Sequence, residues 1–233
     1  MRFLQILLYM VLPMALVSCA SGGSAILQTL QNAWGGNVDV SLGNLNPGFR
    51  YLRLVVDGQV VLLALGYTDR HPLGPIETWY SANKEVLRIQ NGRIIGASGT
   101  VTEWQSVSIP PLPTWLTLST ASEPFRWTRS RDLMPGYRYG VKDPLITRVV
   151  PPPIRSQLLG VDPATLIWFE ENIDSAVQLQ ISKGGGDRLP TARYAVSLGQ
   201  GNESVVYAEQ CLATDLCFSW QRWPVSSSAG IKK

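Results

Sequence analysis

The chain has 233 residues, of which 45% are hydrophobic, with eight tryptophans and a formal net charge of +3 at neutral pH. That balance leaves enough apolar surface for a real core and excludes an electrostatic nucleic-acid binder, which needs a basic patch or run that this sequence lacks. One histidine and three cysteines argue against a metal centre, and no cofactor motif is present.

Residues 1–18 read as an export signal: Arg2, then an apolar run from Phe3 to Val17 broken by Gln5. The run is shorter than the roughly 18 to 20 residues a spanning helix needs, and Pro13 interrupts it, so a transmembrane helix is the weaker reading. Leu16-Val17-Ser18-Cys19 matches the bacterial lipobox: an aliphatic residue, a small or β-branched one, a small one, then cysteine. By that resemblance Cys19 receives diacylglycerol on its sulfur, becomes the N-terminus and is acylated again. Each buried CH₂ contributes about 0.8 kcal/mol, so two or more chains hold a protein durably. Ala20 follows, at the place where the enterobacterial sorting rule reads Asp as retention in the inner membrane. The expectation is therefore a lipid anchor in the outer membrane, with the domain facing the periplasm.

Residues 19–25 form a small, flexible lipidated tether. Ile26, Leu27, Leu30 and Trp34 recur at helical spacing ahead of Gly35-Gly36, which predicts a short helix. From Tyr51 onward the pattern is that of strands. "YLRLVV" and "VVLLALGYT" flank Asp57-Gly58, and "EVLRIQ" and "RIIGAS" flank Asn91-Gly92, two hairpin turns whose residues accept positive φ. Further strands are expected at "ETWYS", "TWLTLST", "PFRWTRSR", "YRYGV", "LITRVV", "ATLIWFEE", "AVQLQIS", "ARYAVSL", "SVVYAEQ" and "LCFSWQRW", separated by "IPPLP", "VPPPI", "GGGD" and "GQGNE". The fold class is all-β: an antiparallel meander closing into a barrel-like or sandwich domain over residues 26–225, with a flexible tail at 226–233. The tryptophans either fill its core or form an exposed stacking surface.

With Cys19 assigned to lipid, Cys211 and Cys217 pair arithmetically in an oxidising compartment. A disulfide is expected, with two free core thiols as the alternative. No catalytic constellation emerges. His71 lies in a Pro/Gly loop, and Glu170, Glu171 and Asp174 form a carboxylate cluster that suits a glycoside hydrolase or a solvated strand end equally well. In "FRWTRSR", three arginines beside Trp127 suggest either a charged strand face or a surface for an anionic glycan or headgroup.

Several stretches, "YLRLVVDGQVVLLALGYTD", "ETWYSANKEVLRIQNGRIIGASG", "PFRWTRSRD" and "ARYAVSLGQGNESVVYAEQCLATDLCFSWQRW", together resemble the YjbF/GfcB family of bacterial lipoproteins. The carrying motifs are Trp79, Asn91-Gly92-Arg93, Trp127-Thr128-Arg129, Arg193-Tyr194 and Glu209-Gln210. The resemblance implies an antiparallel β fold and an outer-membrane lipoprotein associated with exopolysaccharide or group 4 capsule export. On that footing the protein is expected to be a non-enzymatic accessory factor, with polysaccharide and export-system proteins as partners. Trp127, Arg126, Arg129 and Arg131 are its expected glycan or partner surface. The alternatives are a lipid or lipoprotein carrier and a hydrolase using Glu170 or Glu171.

Overall fold

The computed structural model describes residues 45–177, 188–199 and 202–225. The expected signal, Cys19, the tether, the helix near Trp34 and the tail at 226–233 lie outside the described residues, as does most of the expected strand at 176–182.

Twelve antiparallel strands form one closed ring: β1 (Tyr51–Val56), β2 (Gln59–Asp69), β3 (Ile76–Ser81), β4 (Val86–Gln90), β5 (Arg93–Ser98), β6 (Glu103–Ser108), β7 (Phe125–Met134), β8 (Arg138–Val150), β9 (Ile167–Ile173), β10 (Ala192–Gly199), β11 (Asn202–Ala213) and β12 (Leu216–Trp223). Each strand pairs with its sequence neighbours, and β1 closes on β12 from Tyr51 opposite Trp223 to Val56 opposite Phe218. The all-β expectation holds. The two hairpin turns form as read, with positive φ at Asp57, Gly58, Asn91 and Gly92. Gly92 is needed twice over, because a Cβ there would sit 2.4 Å from Val205.

Three elements differ from the sequence reading. "TWLTLST" is not a strand but a short helix, α1 (Trp115–Ser119). Thr114 caps it by accepting the Thr117 N–H at 3.1 Å, and Trp115 and Leu118, one turn apart, are its buried residues. "YRYGV" and "LITRVV" belong to one strand, β8, which runs through Pro144. The Pro144 carbonyl accepts from Asp174 N beyond the end of β9, so the missing Pro144 N–H faces the side where no strand continues. β6 has no alternating apolar signal; Trp104 alone anchors it, recruited between β5 and β7.

A round ring of eight strands is just filled by its own side chains, so one of twelve encloses a lumen unless its walls approach each other. Here they do. The Trp104 indole N–H donates to Leu212 O at 2.9 Å, and Gln210 bonds both Gly92 O and Ile94 N. β5 and β6, which these bonds tie to β11, stand six and five places from it round the ring. The molecule is a barrel in its pairing and a sandwich in its packing.

Leu52, Leu63, Trp79, Leu87, Ile94, Trp104, Phe169 and Trp220 fill the space between the walls. Six of the described tryptophans are buried and Trp223 is half-buried, so they build core rather than an exposed stacking surface. Large apolar residues face inward, the reverse of a membrane-spanning barrel with a polar lumen. No described helix is long and apolar enough to cross a membrane. Outside the ring, the segment after β8 crosses the outer face of β12, β1 and β11. It is pinned by Gln157 N to Tyr207 Oη at 3.0 Å, Leu159 to the Gln221 amide, and Arg53 to Gln157 O at 3.2 Å.

Cys211 and Cys217 are joined by a disulfide, directly opposite each other on β11 and β12. A loop this short restricts the unfolded chain by about 2 to 3 kcal/mol in the chain-entropy model. Replacing both cysteines by serine is expected to lower unfolding free energy by that amount in urea titration. Thiol titration of the denatured, unreduced wild type should find neither cysteine free.

Candidate functional site

The residues singled out in β7 (Phe125–Met134) separate by the strand period of two. Arg126 faces out, exposed, 3.3 Å from Asp174. Trp127, Arg129 and Arg131 face in and are buried, which corrects their expected place on a surface. Arg129 donates to Asp143 Oδ2 at 2.9 Å, while Arg131 grips both Asp143 oxygens. Asp143 is fully buried directly across the strand pair from Arg129. Both guanidinium groups lie 4.6 Å from the Trp104 ring centre, whose face takes up part of the second positive charge. Burial pulls the Arg131 pKa below its ordinary value, and Asp143 opposes that shift.

A second buried cluster adjoins the first. Glu171 accepts from Arg93 Nη2 at 2.6 Å, Arg93 Nε at 2.8 Å, Thr147 Oγ1 at 3.0 Å and Tyr194 Oη at 2.9 Å. The Trp127 indole N–H donates to Thr147 Oγ1 at 2.9 Å. Arg93 is sandwiched among rings, 4.1 Å from Trp115, 5.5 Å from Trp127 and 5.5 Å from Tyr194. Trp115 in turn plugs the end of the barrel, its N–H donating to Asn91 O at 3.1 Å.

Four of the short motifs noted in the sequence therefore meet in one place. Arg93, Trp127, Arg129, Tyr194 and Gln210 come from four strands distant in sequence and lie in these two adjoining interior clusters. Arg193 and Glu209, their outward-facing neighbours, bond each other at 3.1 Å on the opposite face. Arg93 and Gln210 tie the two walls together from within, while Asn91, Arg193 and Glu209 of the same motifs lie outward.

The carboxylate cluster is not assembled as a catalytic pair. Glu170 and Glu171 are consecutive in β9 (Ile167–Ile173) and face opposite sides of the sheet. Glu171 is neutralised inside, whereas Glu170 pairs outside with Arg193 at 3.0 Å and Arg148 at 3.4 Å. His71 is exposed, its Nδ1 bonded by Leu73 N and the Gln90 amide, and no cluster of metal-ligating residues occurs among the described residues.

Beside a cavity of about 20 Å³ lined by Arg129 and Glu171, three cavities stand out among the described residues. One of about 60 Å³, lined by Val56, Leu63, Leu87 and Phe218, lies at the barrel end bearing the disulfide. Two others, of about 270 and 150 Å³, adjoin at the opposite end and share Asn91, Trp115 and Glu203. The larger is walled by the proline run from Ile109 to Pro113, a segment the sequence marked only as a loop.

No protein-family model and no curated protein sequence matches this chain. Among solved structures it is similar to the crystal structure of the hypothetical lipoprotein YmcC from Escherichia coli K12. The TM-score is 0.55 at 14% identity, over 88% of this chain and 98% of that one. At that identity the likeness is one of fold.

Removing Glu171 or Asp143 strands buried guanidinium groups, so Glu171→Leu and Asp143→Ala are each expected to lose on the order of 3 to 5 kcal/mol. Arg126→Ala removes an ion pair whose arginine is exposed and should cost no more than about 1 kcal/mol. Urea unfolding of the three variants checks the contrast.

The Tyr194 phenol is pushed well above its ordinary pKa by burial and then by the Glu171 carboxylate. The unfolded chain releases that proton first, so this stabilisation is complete below about pH 10 and declines as pH rises further. Tyr194→Phe should flatten that part of the alkaline stability profile in unfolding measured from pH 8 upward.

Proposed function

We propose that this protein is an outer-membrane lipoprotein of the YjbF/GfcB type, anchored through Cys19 and facing the periplasm. In this reading it is a non-enzymatic accessory factor in exopolysaccharide or capsule export. The observation that carries it is a lipid-attachment sequence, Leu16-Val17-Ser18-Cys19, ahead of a domain whose interior charges are tied up in ion pairs. Such charges hold a shape, and Glu171 and Asp143 are engaged by arginines rather than free to act as acid or base. The shared fold with a protein described as a lipoprotein supports the anchor. Tethering raises the effective concentration of the domain beside membrane-bound partners, so modest surface contacts suffice.

The competing readings have less support. A hydrolase needs two carboxylates flanking one bond, and Glu170 and Glu171 diverge. A carrier needs room for acyl chains, and the apolar cavity of about 60 Å³ falls well below the roughly 300 to 1,000 Å³ of small-molecule pockets.

Deleting the gene is expected to lower surface or secreted polysaccharide while sugar-nucleotide synthesis continues. Cys19→Ser should abolish lipid labelling and reproduce much of that loss. Normal export in the deletion strain, or a free Cys19 thiol by mass spectrometry, rejects the proposal, as does robust glycan cleavage by the purified protein.

A further inference from the structure

We infer that the cleft around Trp115, between the proline run and the β4–β5 turn, binds an uncharged segment of a polyhydroxylated polymer, a neutral glycan. The inference deepens the export reading and rests on it for why such a polymer would be near; the ligand class comes from the chemistry of the cleft.

Most side-chain amide and ring donors lining this cleft are already engaged. The Gln90 amide N–H groups reach Gly74 O at 2.8 Å and His71 Nδ1 at 2.9 Å, and Asn91 Nδ2 donates to Leu73 O at 2.8 Å. Trp115 donates to Asn91 O, and Arg93 is directed at Glu171. The carbonyl partners fix both amide orientations, since an amide oxygen facing another oxygen would be repelled. Several acceptors are left over. Gln90 Oε1 and Asn91 Oδ1 have no hydrogen-bond partner among the described residues, and Glu203 uses one oxygen on Leu116 N at 2.9 Å, leaving the other. The prolines of the wall supply carbonyls and no N–H.

An acceptor-rich cleft selects a ligand rich in donors. Two classes qualify, polyamines and polyols, and the charge distribution separates them. The Arg93 guanidinium sits 4.1 Å from the Trp115 ring centre at the floor, and Arg222, paired with Glu77, lines the adjoining cavity. Arg93 lines the cleft while its partner Glu171 does not, so the cationic end of that pair faces a ligand and offsets the pull of Glu203 on a cation. Sugar hydroxyls meet the acceptors without that repulsion, and the C–H faces of sugar rings suit the proline and leucine wall. The cleft is also rigid. Trp115 is held by its hydrogen bond and by Phe169 and Tyr194, at ring-centre distances of 4.8 and 5.1 Å, so little ordering is required on binding.

The test uses the full-length protein in detergent micelles, reading the Trp115 indole N–H resonance, which Trp115→Phe identifies. Cellohexaose, maltohexaose and chitohexaose are titrated separately, with spermidine and oligogalacturonate as charged comparisons. At least one neutral hexasaccharide should shift the resonance saturably, and Glu203→Gln should weaken that binding about fivefold or more. Leu73→Trp, which fills the cleft from a surface loop, should abolish it while the melting curve stays cooperative. Failure of all three neutral sugars to shift Trp115, or tighter binding there of spermidine or oligogalacturonate, overturns the inference. Its failure is separable from that of the export role. Sugar binding with normal export in the deletion strain rejects the role and keeps the cleft; lowered export without sugar binding rejects the cleft alone.

Discussion

A closed ring of twelve strands has no unpaired edge to offer another chain, but it must fill the space it encloses. Most features of this protein follow from that constraint. The walls draw together, and large side chains from opposite strands occupy the middle. Tryptophan serves well because one residue spans much of the gap, as Trp104 does in reaching the backbone of Leu212. The Trp104 indole N–H finds a carbonyl there, whereas those of Trp79 and Trp220 are buried without a hydrogen-bond partner.

The same constraint explains charged residues in the interior. Arg93 on β5 is long enough to reach Glu171 on β9, while Arg129 and Arg131 meet Asp143 from the neighbouring strand, and each carboxylate takes several hydrogen bonds. A buried pair of this kind adds little net stability compared with apolar packing, because desolvation offsets the attraction. Its effect is on register. A one-residue slip in β7 or β9 would turn the arginine or the glutamate to the opposite face and leave its partner alone in the core. The motifs that carry the resemblance to bacterial lipoproteins are largely these register-setting residues. That resemblance therefore speaks first to a shared architecture, in agreement with the fold likeness to YmcC.

Function is left to the parts the core does not use. The connection from β6 to β7 folds its proline run and α1 over one end of the barrel, and Trp115 seals the interior beneath it. The seal isolates the ion pairs from water and forms the floor of the larger cleft. Stability and recognition thus meet at one indole.

Much was determined by the sequence alone. Period-two patterning and the Asp57-Gly58 and Asn91-Gly92 turns were enough for an antiparallel meander, because both signals are local. The opposition of Cys211 and Cys217 was legible from their short spacing within a hairpin. The divergence of Glu170 and Glu171 was legible too, since neighbours on a strand cannot face the same way. The tertiary structure decided which face of β7 is inside: alternation groups Trp127 with Arg129 and Arg131 but does not say what lies opposite, and Asp143 arrives from the next strand. It also decided that Thr114 to Thr120 is a helical plug, because the local β preference of that stretch yields to the open barrel end where Trp115 finds Phe169 and Tyr194. Propensity is a matter of tenths of a kcal/mol per residue, roughly, while burying an indole is worth several times that. The sequence displays the first quantity, and only the assembled walls set the second.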